Sequence, residues 1–254
     1  QPLRVVNEVC SGFSAMIDAA ENNLNVNKSL DHIIVLTNEK MSETIDYTNC
    51  TPSVLFGDLS TAMVITRKKV DGFKILGSFS KHYRAYTDNT IGLEEGDCGK
   101  VDATWFDEGI STNRRSMFRM DGRATYKHAV KEMPEAVKEL ADALKIKMIH
   151  QIWCHQANRT ILIKASEKLR KKFPEATVPI YMEAGNTSSS TIPRLIHAMI
   201  NAPKKVLIPE IDPMNPITKS LTTTNLKWKA KDVVATASIG VGLYIRGILL
   251  QYEN

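Results

Sequence analysis

Short apolar runs alternate along this chain with stretches of helical periodicity, and this alternation restricts the folds open to it. The run from His32 to Thr37 is apolar at every inner position, as expected for a strand covered on both faces. From Phe13 to Leu24, apolar residues recur at the spacing of one helical face. Such alternation favours the α/β class. With 254 residues and 43% hydrophobic content, the chain can bury a substantial core in one domain or two fused halves.

The same reading places further elements along the chain. Strands are predicted at 62–66, 148–153, 206–208, 233–237 and 243–250, and helices at 123–144, 157–173 and 192–200. Pro134 falls inside one of these helices and predicts a kink or a restart there. Residues 67 to about 118 are polar and irregular, so we expect hairpins and a long surface excursion.

Composition excludes several classes of protein. No apolar run approaches the roughly 20 residues that span a bilayer, and no secretory signal is visible at the start. The four cysteines contain no C-x-x-C pair, so we expect reduced cytoplasmic thiols and no metal site. A net charge of +5 with 7% aromatic residues argues against nucleic-acid binding. The small excess of positive charge is also consistent with binding of a phosphate-bearing cofactor or of an acidic carrier protein.

Three residues with complementary chemistry stand where predicted strands run out. Cys10 precedes a helix, whose dipole and unpaired N–H groups are expected to lower the pKa of the thiol. His155 lies at the carboxyl end of a strand, where α/β sites are usually found. Asn186 can donate hydrogen bonds to a developing enolate without adding charge. A thiol, an imidazole and a carboxamide together are suited to acyl transfer.

Each residue also has a plain structural interpretation when it is taken alone. Cys10 reads equally as an inert buried cysteine, His155 as a capping or core histidine, and Asn186 as an ordinary turn residue. Cys154 is expected to serve packing, because neighbours on a strand point to opposite faces. Gly240 and Gly242 would let backbone N–H groups approach an oxyanion, although paired glycines are a weak signal.

Six short stretches, taken in their order along the chain, favour the functional interpretation over the plain structural one. They are Cys10-Ser-Gly-Phe, Phe56-Gly-Asp, Met120-Asp-Gly-Arg-Ala-Thr-Tyr-Lys, His155-Gln-Ala-Asn, Gly185-Asn-Thr-Ser-Ser-Ser-Thr-Ile-Pro and Gly240-x-Gly. With them the chain resembles the β-ketoacyl-acyl-carrier-protein synthase III group of the thiolase fold. The resemblance implies a layered α-β-α-β-α architecture with part of the first pseudo-repeat missing. It also implies two halves, residues 1–70 with the nucleophile and 71–254 with the histidine and asparagine.

The resemblance implies a condensing enzyme that works in two stages. Cys10 takes an acyl group from a thioester, with the backbone N–H groups of Cys10 and Gly242 as the oxyanion hole. A malonyl thioester then decarboxylates while His155 and Asn186 stabilise its enolate, which attacks the acyl-Cys10. Two alternatives stay open. One is an acyltransferase that delivers the acyl group to an amine or hydroxyl, and the other is a non-catalytic partner subunit of a mixed dimer.

No tightly bound cofactor is implied, and coenzyme A or phosphopantetheine thioesters would be substrates. The residues implied for the coenzyme are Arg159 and Asn158, and those for an acyl carrier protein are Lys127, Lys164 and Lys168. The lysines of the helix after His155 have a solvated helix face as their plain alternative. Thr160 stands where the family commonly has arginine, which weakens the usual coenzyme contact.

Other departures concern the partners of the chain. Family members carry roughly 100 further residues before the nucleophile, so we expect an N-terminal companion segment that covers an otherwise exposed apolar edge. A homodimer or a heterodimer is expected as well. Ile245-Arg246 stands where Trp-Gly is common, and together with other changes near the acyl pocket it predicts a specialised substrate.

Overall fold

The computed structural model describes residues 4–6, 8–47, 50–82, 91–95, 116–201, 206–209, 220–222, 228–240 and 244–254. Within these ranges the helices are Gly12–Val26 (α1), Cys50–Ser53 (α2), Gly122–Ala143 (α3), Arg159–Lys172 (α4) and Thr191–Asn201 (α5). The strands are His32–Glu39 (β1), Leu59–Thr66 (β2), Gly72–His82 (β3), Ile91–Glu95 (β4), Ser116–Met120 (β5), Gln151–Cys154 (β6), Leu207–Pro209 (β7), Ser220–Thr222 (β8), Val233–Gly240 (β9) and Tyr244–Glu253 (β10).

Side-chain caps fix where the two long helices of the second half begin. The Asp121 carboxylate accepts hydrogen bonds from the backbone N–H groups of Arg123 and Ala124, and α3 starts there. Asn158 caps α4 in the same way, and three basic residues in its last turn complement the helix dipole. Helix α3 continues through Pro134 as one helix, so of the kink or restart predicted at that residue the restart does not occur.

A four-stranded sheet in the order β3-β10-β9-β6 forms the centre of the molecule. Strand β10 pairs antiparallel with β3 and β9, whereas β6 lies parallel to β9. Every residue of β9 is buried. Val233 and Ala235 pack into the core on one side of the sheet, and Val234 packs into the core on the other.

Two hydrophobic cores show how the layers are stacked. The larger core joins the sheet to α3 and α4 through residues such as Met133 and Leu162. The second core joins the other side of the sheet to α1 and α5, through Phe13 and Leu195, and reaches Val35 of β1. The order is therefore helices, sheet, helices and the β1–β2 sheet, which matches four layers of the predicted α-β-α-β-α arrangement.

The outer face of the β1–β2 sheet is apolar and open. Strands β1 and β2 pair antiparallel, with Ile34 opposite Val64 and Leu36 opposite Ala62. Ile34, Leu36 and Val64 are 64%, 59% and 60% exposed. Among the described residues no helix covers this face, which is where the fifth layer is expected. We refer to Ile34, Leu36, Ala62 and Val64 as the outer apolar face.

The predicted elements are largely confirmed, with one clear error. The prediction of a surface excursion is wrong for β3, which pairs with β10 over most of its length. As an edge strand in which no residue is fully buried, β3 has no strong apolar alternation to reveal it. Residues 83–90 and 96–115 lie outside the described residues. The division into halves at residue 70 stays a prediction.

We predict that Leu195→Ala destabilises the protein by about 2–5 kcal/mol. Leu195 is 0% exposed in the core between the sheets, so the change leaves a cavity there. Ile200→Ala on the same helix is the matched control, because Ile200 is 59% exposed. Urea unfolding followed by circular dichroism measures both variants, and equal losses in the two would contradict this packing.

Candidate active site

Cys10 lies in a strained turn at the start of α1. Residues Val9–Ser11 form a 3₁₀ turn that leads directly into the helix at Gly12. Val9 has a φ of +46°, a left-handed conformation that is unusual for a β-branched residue. Backbone strain of this kind needs support from the surrounding structure and is frequent at functional sites.

That support comes from β9 and β10. A Cβ at Gly240 would lie 2.4 Å from Ser11 Oγ and 2.5 Å from the Glu8 carbonyl oxygen, so the nucleophile turn packs directly on the backbone at the end of β9. The Glu8 carboxylate accepts two hydrogen bonds from Arg246 of β10, at 2.6 and 2.7 Å. Arg246 therefore anchors the turn that carries Cys10.

The pKa of Cys10 moves in the direction opposite to the sequence-based expectation. Burial raises the pKa of the Cys10 thiol to about 12, and the negative charge of Glu39 adds to that rise. A contact with the Ser188 hydroxyl opposes the shift. The expectation that the helix start lowers this pKa is wrong, because desolvation of the thiolate outweighs the helix dipole here. At neutral pH Cys10 is a thiol.

His155 is buried at the end of β6 with a fixed ring. Its Nδ1 lies 2.7 Å from the Thr191 hydroxyl, and its backbone N–H donates to the Ala237 carbonyl at 2.7 Å. Burial, with a smaller contribution from the positive Arg194, lowers the pKa of His155 to about 3. The imidazole is therefore neutral, and Nε2 is the ring nitrogen not engaged by Thr191. Cys154 is buried in the core beside α3 and α4, which confirms its packing role.

Arg194 was not identified from the sequence. It lies on α5, and its Nη2 donates to the carbonyl oxygens of Tyr181 and Gly185, each at 3.0 Å. The guanidinium also stacks over the Tyr181 ring at 5.1 Å. These contacts hold the loop before Asn186 against α5 and place a positive charge near His155. Sequence reasoning missed this residue because it lies within a strongly apolar helix.

Asn186 is buried and its amide is oriented. Its Oδ1 accepts a hydrogen bond from the Ser188 backbone N–H at 3.0 Å. With the oxygen occupied in this way, the NH₂ group is the end of the amide that can donate to a ligand. Ser188 itself has a φ of +49°, so this turn is strained like the nucleophile turn. The arrangement fits the hydrogen-bond donor predicted at this position.

The turn at residues 56–58 has a role that the sequence did not reveal. Gly57 N–H donates to the Asn186 carbonyl at 3.0 Å, and Asn186 N–H donates to the Leu55 carbonyl at 2.8 Å. A side chain at Gly185, where φ is +64°, would come within 2.7 Å of the Leu55 oxygen. Two glycines thus allow the two backbones to pair and fix the loop that carries Asn186.

One segment brings the three predicted residues together. From Asn186 to Thr191 the chain contacts Cys10 through Ser188 and His155 through Thr191. The start of α1 packs against the same segment, since a Cβ at Gly12 would lie 3.4 Å from Ser189 Cβ. The segment thus adjoins Cys10 and His155 and itself contains Asn186, so a thiol, a neutral imidazole and a primary amide lie along one stretch of chain.

The residues predicted for the coenzyme lie at the start of α4. Asn158 accepts a hydrogen bond from the Ile161 backbone N–H at 2.9 Å, so its side-chain oxygen serves as the helix cap. Arg159 is the first residue of α4 and is exposed. Gly242, predicted for the oxyanion hole, lies outside the described residues.

The residues predicted for a carrier protein lie on two helices. Lys127 is exposed on α3 and Lys168 is exposed on α4. Lys164 forms an ion pair with Glu167 at 3.0 Å, which neutralises part of its charge. The three lysines thus differ in how much free positive charge they offer to an acidic partner.

Two family models match this chain. The one described as 3-oxoacyl-(acyl-carrier-protein) synthase III matches residues 6–83. The model described as the C-terminal part of the same synthase matches residues 141–205. Together the two matches include more than half of the chain and contain Cys10, His155 and Asn186.

Curated relatives and solved structures agree with these matches. A beta-ketoacyl synthase III from Streptococcus agalactiae is 31% identical over 195 residues, which are 74% of this chain and 55% of the relative. The Aquifex aeolicus synthase III is 27% identical over 252 residues, which are 97% of this chain and 66% of the relative.

The crystal structure of the Aquifex aeolicus 3-oxoacyl synthase III superposes with a TM-score of 0.69 at 25% identity, and the match covers 97% of this chain and 66% of that one. This likeness confirms the predicted thiolase-like fold. The chain thus spans between 55% and 66% of the length of these relatives.

We predict that alkylation of Cys10 by iodoacetamide accelerates about tenfold for each pH unit from 7 to 10, without a plateau. The thiolate is the reactive form, and a pKa raised to about 12 means that its fraction keeps growing over this whole range. Peptide-level mass spectrometry separates Cys10 from the other cysteines, and Cys10→Ser is the control. An ordinary thiol would level off above about pH 9, and that result would contradict a pKa raised by desolvation.

Proposed function

Because the chain belongs to the 3-oxoacyl-(acyl-carrier-protein) synthase III family, we propose that it is an acyl-thioester condensing enzyme. Its reaction joins an acyl group, held on Cys10, to the two-carbon unit that remains after a malonyl thioester loses carbon dioxide. The product is a β-ketoacyl thioester. The observation that carries this proposal is the Asn186–Thr191 segment, which contacts both Cys10 and His155 and leaves the Asn186 NH₂ group as a donor.

In the first stage the sulfur of Cys10 attacks the carbonyl carbon of an acyl thioester. A new carbon–sulfur bond forms, the bond to the departing thiol breaks, and the proton of Cys10 ends on that thiol. The oxyanion of the tetrahedral intermediate would accept hydrogen bonds from the backbone N–H groups of Cys10 and Gly242. The acylated cysteine is neutral, so the desolvation that disfavours a thiolate does not oppose it.

In the second stage a malonyl thioester occupies the space beside the acylated cysteine. Loss of carbon dioxide leaves an electron pair that is delocalised as an enolate onto the thioester oxygen. Asn186 Nδ2 and His155 Nε2 donate hydrogen bonds to that oxygen. The Thr191 hydroxyl would donate to His155 Nδ1, which fixes the tautomer with the proton on Nε2. The enolate carbon then attacks the acyl carbonyl, and Cys10 leaves and regains a proton from solvent.

A neutral imidazole suits this task. His155 has its pKa lowered to about 3, so the ring stays uncharged through the physiological range and acts as a hydrogen-bond donor. The Thr191 hydroxyl, the Ala237 carbonyl and burial in the core hold its position. Preorganised donors of this kind stabilise developing charge without reorganisation during the reaction.

Substrate delivery would use the positive residues at the edge of the site. We propose that Arg159 binds a phosphate of coenzyme A or phosphopantetheine, while Asn158 holds the start of α4 in place and offers its NH₂ group. Lys127 and Lys168 would contact an acidic acyl carrier protein, with Lys164 contributing less because Glu167 pairs with it. No cofactor would be tightly bound.

The quaternary arrangement is also a proposal. We propose a dimer, and a cytoplasmic location in which free thiols such as Cys10 and Cys154 persist. No helix among the described residues is long and apolar enough to cross a membrane. The outer apolar face would be covered by a companion segment equivalent to part of the relatives that this chain does not match.

We predict that intact-mass analysis after incubation with an acyl-coenzyme A shows one acyl adduct, and that Cys10→Ala abolishes it. His155→Ala and Asn186→Ala should keep the adduct but lower carbon dioxide release from a malonyl thioester by about 10²–10³-fold, because each removes one donor to the enolate oxygen. Lys145→Ala, an exposed change on the loop after α3, is the control.

Each outcome of this experiment is informative. An adduct without carbon dioxide release would favour transfer to an amine or hydroxyl and contradict condensation. A wild-type protein that forms no adduct would contradict both enzyme activities and favour a non-catalytic partner subunit. Equal carbon dioxide release from the wild-type protein and the His155→Ala variant would remove the role proposed for the imidazole.

We predict that the chain on its own binds the dye ANS through the outer apolar face. The triple change Ile34→Thr, Leu36→Thr and Val64→Thr should reduce ANS fluorescence by at least about half, since these side chains form one contiguous patch. Val26→Thr with Val54→Thr is the control, because those valines are even more exposed but lie outside the outer apolar face. Equal reductions would contradict a specific docking face, as would strong dye binding that the triple change leaves intact.

A further inference from the structure

Glu39 ends β1 and reaches the segment that carries Asn186. Its Oε1 accepts a hydrogen bond from the Ser189 backbone N–H at 3.2 Å and a second one from the Ser189 hydroxyl. Glu39 is half-buried, so these charge-assisted bonds are shielded from competing water. They tie the end of β1 to a turn about 150 residues away in the sequence.

The turn held in this way contacts the nucleophile. Ser189 packs on the first residue of α1, Gly12, and its neighbour Ser188 lies beside the Cys10 thiol. The Ser188 hydroxyl is buried and has no well-formed hydrogen bond to another described oxygen or nitrogen, yet it is close enough to lower the pKa of Cys10. With Ser188 at a φ of +49°, the turn is strained and depends on such external bonds.

The charges on the nucleophile turn and on β10 cancel. Glu8 precedes Cys10 by two residues, and its carboxylate forms a two-bond ion pair with Arg246. Strand β9 packs against the nucleophile turn at Gly240 and contains no charged residue. The Glu8–Arg246 pair and β9 therefore present no net charge to the Cys10 thiol.

Two charged side chains of the other elements act on the site: Arg194 of α5 acts on His155, and Glu39 of β1 acts on Cys10. Asp18 of α1 accepts a hydrogen bond from Ser78 at 2.6 Å, on the side of the helix toward β3. His155 is uncharged because its pKa is lowered to about 3. The carboxylate of Glu39 is thus the charge that acts on Cys10 from the described residues, and it disfavours the thiolate.

We propose that Glu39 is a positioning residue of the condensing site, which clamps the Ser188–Ser190 turn against the nucleophile turn and supplies the negative charge that faces Cys10. This inference rests on the proposed function. The repulsion acts on a thiolate and not on a neutral acylated cysteine, so it favours the acyl-enzyme over the free thiolate. It also protects the resting thiol from alkylating and oxidising agents, which react with the thiolate.

The charge is tested with Glu39→Gln, which is nearly isosteric and keeps an oxygen to accept from Ser189. We expect alkylation of Cys10 by iodoacetamide at pH 8 to become about three- to tenfold faster, because loss of the repulsion lowers the thiol pKa, and one pH unit corresponds to tenfold in thiolate. Glu139→Gln is the control. It removes the same charge from an exposed residue of α3 that pairs with Lys81.

The clamp is tested with Glu39→Ala, which removes both hydrogen bonds. We expect carbon dioxide release from a malonyl thioester to fall about tenfold or more, whereas Glu39→Gln keeps most of it. Glu39→Asp should keep the alkylation rate near that of the wild type, because it preserves the charge. If Glu39→Ala unfolds, as judged by circular dichroism, the pH profiles of Glu39→Gln and Glu39→Asp decide the question.

Two results would overturn the inference. One is an alkylation rate in Glu39→Gln equal to that in the wild type and in Glu139→Gln. The other is carbon dioxide release in a folded Glu39→Ala variant equal to that of the wild type. Failure of the proposed function is distinguishable from both, since a wild-type protein that forms no acyl adduct still allows the alkylation rates to be compared.

Discussion

The hydrogen bonds of the buried segment Asn186–Thr191 hold the candidate site together. A buried polar segment must find partners for its backbone and hydroxyl groups, and here those partners come from several elements. Backbone pairing with Leu55 and Gly57 fixes its start, and Glu39 fixes its middle. Near its end the Ser190 hydroxyl bonds Thr37 of β1 at 2.6 Å. Because these partners lie far from the segment in the sequence, its hydrogen bonds depend on packing against β1 and the turn before β2.

Desolvation determines the protonation states of Cys10 and His155 in this site. It raises the pKa of Cys10 and lowers the pKa of His155, so the two side chains rest as a neutral thiol and a neutral imidazole. A thiolate–imidazolium pair would have been an equally reasonable arrangement for a nucleophilic cysteine. The neutral pair offers hydrogen-bond donors where an enolate would develop, which is consistent with the proposed division of roles between Cys10, His155 and Asn186.

Residues that stand in family motifs can be recognised from the sequence, whereas residues that hold the site in place through tertiary contacts cannot. Cys10, His155 and Asn186 stand in short motifs at predicted element boundaries, so their roles could be suggested from sequence. Glu39 and Arg194 carry no such motif. Glu39 ends an ordinary apolar strand and Arg194 lies in an apolar helix, and each acquires its importance through contacts with residues distant in sequence. The edge strand β3 escaped prediction because its partly buried residues leave no strong apolar alternation in the sequence.

The sequence by itself determined the α/β class, most element positions, the family and the three candidate site residues, because apolar periodicity and short motifs are local properties of a chain. The tertiary structure alone decided the order of the central sheet, the open apolar face of β1–β2, the clamp at Glu39 and the ion pair that anchors the nucleophile turn. It also reversed the expected pKa shift of Cys10. Solvation free energy depends on everything packed around a group, and that information is not contained in the residues beside it in the sequence.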